Sequence, residues 1–578
     1  MCGYINHSIV VLSQRAVLVI NHFCSLVPPD ESDLVRKTCQ LFENLMSNNE
    51  LKIEGKTLSV AVGWCLECLR ADVNVPVLKC LQALIRSNTN MDEYSEQIIS
   101  QLAIVIKTDD QTAVLHCLKC IRSIVIQDSI PSEKNALECL RLFGEFLFAE
   151  NASPDEILRC KCTITAMKGL GNAVTVLGDV GDRLGDLLGI SKSYMFYGLP
   201  GHKEYRVEKL YPSRVTVPEN LRSVKADIRK PKGKYDRKSK KVNLTLIGSL
   251  EKDTFSSLND LSDSLDLICS DSDFSDLEGD NTKTGSVKVR LCALILLQAL
   301  IQKIGTKTFL NYLPCFLSDG LDNLHTRTLM TCVLKDPSSK CRFEASGILS
   351  TIISDSKQYF FQANSATKSS FTSLACNIGS TIKELHKCLS AALVSEASST
   401  VLPRLLKCAS DLIRCSPYYK LESGLITGLA DRVKPYLKHK DVNVRISALN
   451  VFGCIVSVEP KTQEVNDLVM SSRETQKPWL FEMCLSSFSS RQVFNSALAV
   501  ESLQVLGALV RNYIRQTLIT FPNDIIFVLD YCSKKPEYPI RLYSGKLIET
   551  ILGSLQYNLS SGGAYTHSFR LATPHCRN

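Results

Sequence analysis

Two cysteine pairs, Cys65-x-x-Cys68 and Cys117-x-x-Cys120, have the spacing that could do chemistry. Such pairs hold zinc when turns or knuckles present them, often as two pairs. They exchange disulfides when a strand precedes them and a helix begins at the first cysteine. Neither setting fits here: Cys65 and Cys68 lie inside an apolar helical stripe, and Cys120 sits just beside another. The expectation is reduced thiols packed as small hydrophobes. The 24 cysteines are spread along the whole chain, with Cys292, Cys341 and Cys454 also on apolar stripes. That pattern suits a reducing compartment better than a disulfide framework. The sequons at Asn151, Asn243 and Asn558 would then stay unused.

Other motifs fail on context. Gly169-Leu170-Gly171-Asn172-Ala173-Val174 is one glycine short of a dinucleotide fingerprint and follows a helical segment, Ile157 to Lys168, rather than a strand. Glycines 169, 171, 178, 181, 185 and 189 read instead as marks of close helix packing and breaks. Gly55-Lys56-Thr57 lacks the first glycine of a phosphate loop, Glu50 standing there. His116 and His386 stand singly in helical segments, where a satisfied, partly buried imidazole is the ordinary reading. Catalytic, cofactor-binding and metal-ligating residues are therefore expected to be none, and the chain is read as a non-enzyme.

Two charged stretches have a different character. Lys230, Lys232, Lys234, Arg237, Lys238, Lys240 and Lys241 form a basic run with a single aromatic, Tyr235. A nuclear targeting signal is possible chemistry for it, against a solvated linker held open by charge. Base stacking needs more aromatics than one. Ser270 and Ser275 each have a carboxylate three residues downstream, Asp273 and Glu278, which suits phosphorylation by an acid-directed kinase.

The elements that carry these residues are helices. Six stretches place apolar or small residues at offsets 0, 4, 7 and 11, one stripe of a 3.6-residue period. They are Val289, Ala293, Leu296, Leu300; Cys341, Ala345, Ile348, Ile352; Leu402, Leu406, Ala409, Ile413; Val444, Ala448, Val451, Ile455; Ala499, Leu503, Leu506, Val510; and Ile540, Ser544, Leu547, Ile551. In four of them an arginine follows the opening residue: Arg290, Arg342, Arg445 and Arg541. The intervals of 52, 61, 42, 55 and 41 residues are the length of a helical hairpin with its turns. A repeat of that size implies an all-α solenoid, a surface with no built-in chemistry.

The N-terminal third follows the same style. Stripes run through Leu34, Thr38, Leu41 and Leu45; through Leu58, Ala61, Val62, Cys65, Cys68 and Leu69; through Val77, Leu81 and Leu84; and from Val114 to Val125. Ser153 before Pro154 reads as a helix N-cap. Between His202 and Lys241 the chain has fourteen Lys/Arg against five Asp/Glu, and between Glu251 and Lys283 ten Asp/Glu against two lysines. Such segments bury too little apolar surface to offset ordering entropy. The domain reading is thus a helical block at 1–198, a disordered basic-then-acidic linker at 199–284, a second helical block at 285–558 and a disordered tail at 559–578. The net charge of +8 is small for 578 residues and does not argue for nucleic acid. Met1 to Phe23 lacks the basic start and unbroken apolar middle of a signal peptide, and no stretch of about 18 consecutive apolar residues occurs. An intracellular protein, cytoplasmic and/or nuclear, without a membrane segment, is expected.

Several strings give the chain a resemblance to the family of HEAT repeat-containing protein 6: Met195-Phe196-Tyr197-Gly198-Leu199-Pro200-Gly201 with Leu210-Tyr211-Pro212, and Ser272-Asp273-Phe274-Ser275-Asp276. More specific are Leu334-Lys335-Asp336-Pro337-Ser338 and the run from Lys434 to Arg445, KPYLKHKDVNVR. The resemblance covers roughly Leu26 to Tyr557 and implies HEAT/armadillo-like repeats. It also implies that Asp336 with Arg342, and Asp441 with Arg445, supply the turn aspartate and second-helix arginine that form a charged ladder between units. Arg290 and Arg541 would extend it. The resemblance further implies a shortened form, with family sequence expected before residue 1 and further repeats after 558. The function expected is a scaffold or adaptor for protein partners, with no small-molecule substrate. The alternatives are a transport-receptor-like carrier, or a nucleic-acid-associated factor using the basic linker.

Overall fold

A computed structural model describes residues 15–46, 53, 55–88, 91–126, 133–149, 155–200, 206–213, 281–317, 327–364, 373–470, 477–488 and 494–560. The basic run from Lys230 to Lys241, and Ser270 and Ser275, lie outside the described residues. Among the described residues the elements are helices, as the periodicities require.

In the first compact unit, residues 1–316, an apolar helix α1 (Arg15–Leu26) precedes the array. Then follow α2 (Ser32–Met46), α3 (Lys56–Ala71), α4 (Val75–Ser87), α5 (Asp92–Val105), α6 (Gln111–Val125), α7 (Glu133–Phe148), α8 (Glu156–Val176), α9 (Leu184–Tyr194) and α10 (Asn281–Ile304). Packing sorts them into two rows. The helices α2, α4, α6, α8 and α10 pack side by side, and α3, α5, α7 and α9 form a second layer over them. That is the stacked-hairpin architecture of an α-solenoid.

The second unit, residues 317–578, repeats the plan. It contains α11 (Leu329–Lys335), α12 (Ser339–Asp355), α13 (Leu374–Ser395), α14 (Val401–Cys415), α15 (Leu425–Val433), α16 (Val442–Val456), α17 (Gln463–Met470), α18 (Trp479–Ser486), α19 (Ser496–Asn512), α20 (Pro522–Ser533) and α21 (Tyr538–Ser560). Here α12, α14, α16, α19 and α21 stand side by side, and the rest form the covering layer. The six stripes of the sequence pattern are α10 and these five helices. Every stripe residue is buried except Ser544 and Ile551 of α21, which are half-buried.

Local chemistry sets the helix starts. Asp110 accepts from the amides of Thr112 and Ala113, Asp441 from Asn443, Thr328 from Thr331 and Asn495 from Leu498. These side chains satisfy donors that the first turn leaves open. The cap of α8 is Asp155, which accepts from Ile157 and Leu158, so the helix starts later than a Ser153 cap implies. The stripe expected on α2 is also displaced: Val35, Thr38, Cys39, Phe42 and Met46 are buried, while Leu34 is exposed. The leucines at 34, 41 and 45 line one edge of the buried face, and the Phe42 ring, edge-on to Trp64, marks the side that turns inward.

The largest departure concerns the charged segment. Residues 285–316, expected to open the second block, belong to the first unit, where α10 packs on α8 and α9. Residues 195–280 are therefore an insertion between the two helices of one hairpin, α9 and α10, rather than a connection between blocks. Gly198, at φ 72°, lies so close to α10 that a Cβ there would sit 2.7 Å from the Ser286 Cβ. Residues 206–213, assigned to the linker by composition, form an irregular segment lying on α9. Lys283–Ile304, with an 18-residue window of mean hydropathy 1.6, is long and apolar enough to cross a membrane. Its apolar window is 83% buried against neighbouring helices, as in a core helix.

Candidate functional site

The recurring arginines of the repeat act on main-chain carbonyls. Arg342 donates Nη1 to the carbonyls of Asp336 (2.7 Å) and Pro337 (3.3 Å). Arg445 does the same to His439 (2.9 Å) and Lys440 (3.3 Å). In both, the acceptors lie six and five residues back, in the turn after the covering-layer helix. A guanidinium there satisfies carbonyls that the helix end leaves open and meets the negative end of its dipole. Arg290 donates to the Tyr197 carbonyl (3.0 Å) across the long insertion. This shared bond identifies α9 and α10 as a hairpin of the same kind. Arg541, at the corresponding place in α21, is exposed instead.

The aspartates are not equivalent to one another. Asp441 is the N-cap of α16, its carboxylate accepting from the Asn443 amide at 2.8 Å. Asp336 is buried at the C-terminus of α11 and accepts from the Ser338 amide at 2.8 Å. The counterpart of Asp441 is therefore Ser338, the N-cap residue of α12. Spacing alone concealed this, since Asp336 precedes its arginine by six residues and Asp441 by four. The bridge to the neighbouring hairpin comes from a residue the pattern did not point to. Glu396, at the end of α13, takes Nε (2.7 Å) and Nη2 (2.9 Å) of Arg342 in a two-pronged pair. Burial works to raise the Glu396 carboxyl, but the Arg342 hydrogen bonds, with those from the following amides, hold it below its usual range.

A second polar seam joins the side-by-side helices. On α12 and α14 it pairs facing positions: the Arg404 guanidinium lies 4.6 Å over the Phe343 ring, Cys408 Sγ meets the Ser346 carbonyl, and Ser350 donates to the buried Asp411. Arg414 completes the site at 2.9 Å from Asp411. Burial nevertheless raises the Asp411 carboxyl above its usual range. On α16 and α19, Asn450 donates to Glu501 at 3.0 Å. These contacts use Asp411 and Glu501, whereas Glu344 is half-buried and Asp355 exposed on α12. Lys340, Asn443 and Arg511 stay exposed on the same helices, and Lys407 is half-buried.

Cys65, Cys68, Cys117 and Cys120 are buried free thiols. Cys117 and Cys120 donate to the carbonyls of Leu102 (3.3 Å) and Leu78 (3.1 Å). Sequence spacing did not reveal that Cys39 and Cys80 join them: the Cys80 thiol is hydrogen-bonded with Cys39 and Cys65 in a small cluster between α2, α3 and α4, and those bonds together with burial raise it. Burial pushes the thiols of Cys68, Cys117 and Cys120 upward, and that of Cys24 to about 12. A thiol held protonated is a poor nucleophile and a poor ligand. Among the described residues no group of three or more His, Cys, Asp or Glu side chains is placed to hold a metal ion. Gly169 fits the packing expectation: a Cβ there would lie 2.2 Å from the Phe143 ring. His386 is fully satisfied, Nδ1 at 2.8 Å from the Ile382 carbonyl and Nε2 at 2.9 Å from the Tyr418 hydroxyl. His116 leaves a buried Nδ1 without a hydrogen bond.

Residues 288–465 match the family model described as a domain of unknown function (DUF4042). An uncharacterized protein of Dictyostelium discoideum is 26% identical over 214 residues, covering 30% of this chain and 14% of its own length. The chain thus spans about a seventh of the curated relative it matches. Among solved structures, an engineered protein has a TM-score of 0.42 at 11% identity, covering 92% of this chain and 99% of its own. SYS-1 has a TM-score of 0.41 at 9% identity, covering 96% and 87%. Kap121p, a karyopherin, has a TM-score of 0.38 at 10% identity, covering 95% and 47%.

Proposed function

We propose that the chain is a non-enzymatic scaffold of the HEAT-repeat type, related to HEAT repeat-containing protein 6, that offers the row α12, α14, α16 and α19 to protein partners. The observation that carries this reading is the polar seam. Ser350–Asp411–Arg414 and Asn450–Glu501 lock successive helices in register, so the face between the seams is held rigid before any partner arrives. A preorganised surface loses less entropy on binding than a mobile one. Asp411 and Glu501 of this row are spent in the seams, and of its exposed charged side chains Lys340, Arg414 and Arg511 outnumber Asp355. Complementarity then favours partners with acidic segments. The family relation is supported by the two most specific strings, at 334–338 and 434–445, both of which fall inside the matched region 288–465.

The test is proximity labelling of the full chain beside a Lys340→Glu, Arg511→Glu variant with unchanged helical content. A partner set lost on charge reversal supports the reading. Identical labelling by the two chains would sink it.

A further inference from the structure

Residues 206–213 cross α9 without regular secondary structure, and main-chain groups make the closest part of the contact. The Leu210 amide donates to the Gly185 carbonyl at 2.9 Å, and the Ser213 amide to the Asn311 carbonyl at 2.7 Å. A helical carbonyl is normally covered by the side chain four residues on, which leans toward the N-terminus. At Gly185 that covering residue is Gly189, so the carbonyl is open to a second donor. The approach is as close as glycine allows. A Cβ at Gly185 would lie 2.2 Å from the Leu210 carbonyl oxygen, and one at Gly189 2.0 Å from that of Glu208. Lys209 adds a charged contact, its Nζ 3.5 Å from Asp186 and 3.4 Å from the Asp182 carbonyl. Val207 and Leu210 are half-buried, whereas Arg206, Glu208, Lys209 and Tyr211 face solvent, Tyr211 being 71% exposed.

We propose that the Gly185/Gly189 face of α9 is a docking groove for a non-helical peptide and that residues 206–213 are its occupant in cis, a strap that the same peptide supplied in trans can replace. The groove reads main chain through Gly185 and Asn311, and one lysine through Asp186. Its ligand class is a non-helical segment with an apolar residue following a lysine, as in Lys209-Leu210. Most side chains of the strap remain in water, so exchange needs no opening of the helical core. This adds a peptide site to the protein-binding reading, at a place separate from the row of α12 to α19. A failure of either test leaves the other intact.

The experiment uses the full chain with residues 206–213 replaced by a Gly/Ser sequence of equal length, and a fluorescent peptide of sequence Arg206–Ser213. Saturable binding to the replaced chain is expected, with the wild type weaker by roughly tenfold or more, because its groove is already filled. Gly189→Ala in the replaced chain should abolish binding while keeping helical content, since alanine is the better helix former. A peptide carrying Lys209→Glu should bind more weakly and recover on an Asp186→Lys chain, a readout that survives if Gly189→Ala disturbs the fold. In the wild type, the Leu210 and Ser213 amides should exchange more slowly than in the Gly189→Ala chain. Equal peptide binding by wild-type and replaced chains, or no binding to the replaced chain, overturns the proposal.

Discussion

His386 shows what burial does to a residue that sequence alone offers as a possible acid–base group. Its two ring nitrogens are bonded to Ile382 and Tyr418, and burial lowers its pKa to about 4, against a weaker upward pull from the Ile382 carbonyl and Glu464. In the unfolded chain it titrates at about 6.5. The native state therefore binds fewer protons between those two values, and stability must fall as pH drops from about 6.5 toward 4, levelling off below. The loss from this group is on the order of 3 kcal/mol. His116 is shifted in the same direction, so the comparison has to be between chains. A His386→Gln variant should be less stable at pH 7.5, yet its urea midpoint should fall less than the wild type's between pH 7.5 and 4.5. Parallel pH dependences in the two would show that His386 is protonated in the folded state. That His386 is a core residue was legible from its lone position in an apolar helix. Its Tyr418 partner, in a turn 32 residues on, was not.

At the scale of the element, periodicity served well where a helix has neighbours on both flanks. The stripes of α14, α16 and α19, each held between two row neighbours, are buried throughout, because a helix packed in a row can satisfy only one phase of its pattern. On α2 the leucines at 34, 41 and 45 suggested one face, while Phe42 and Cys39 selected another. The choice depended on Trp64 of the next helix, information that α2 does not contain. α21 departs in another way: Leu542, Ile548 and Leu552 are exposed, together with Ile526 and Phe527 of α20. Among the described residues, α21 is covered on one flank, by α19 and α20. Local opening is easiest where few buried contacts must break. Hydrogen exchange in 540–555 should accordingly be faster than in 444–456, where α16 is held between α14 and α19. Equal protection would mean that the exposed face of α21 costs the helix nothing.

For the whole molecule, the instructive failure is the insertion. A change to charged, Pro-containing sequence after Tyr197 reads naturally as a domain boundary, since boundaries have that composition. Composition is local, however, and the pairing of α9 with α10 is not. Energetics explain why so long an insertion is tolerated. Closing a loop of residues 195–280 costs only about 2–3 kcal/mol more than closing a six-residue turn. Against this, α10 buries Val289, Leu291, Leu294, Ile295, Leu296, Leu297, Leu300 and Ile301, each contributing roughly 1.5–3 kcal/mol. Burial wins by a wide margin, and Arg290 closing on the Tyr197 carbonyl fixes the register. The two readings of the segment separate on cutting it. Limited trypsin should cleave first between Lys203 and Lys241, where fourteen Lys/Arg residues lie in His202–Lys241. If the segment joined independent blocks, the nicked halves would part in native gel filtration. With α10 packed on α8 and α9, they should elute together as the uncut chain does and separate only in denaturant. Separation in native buffer, or first cuts within 289–352, would return α10 to the second unit and undo the hairpin.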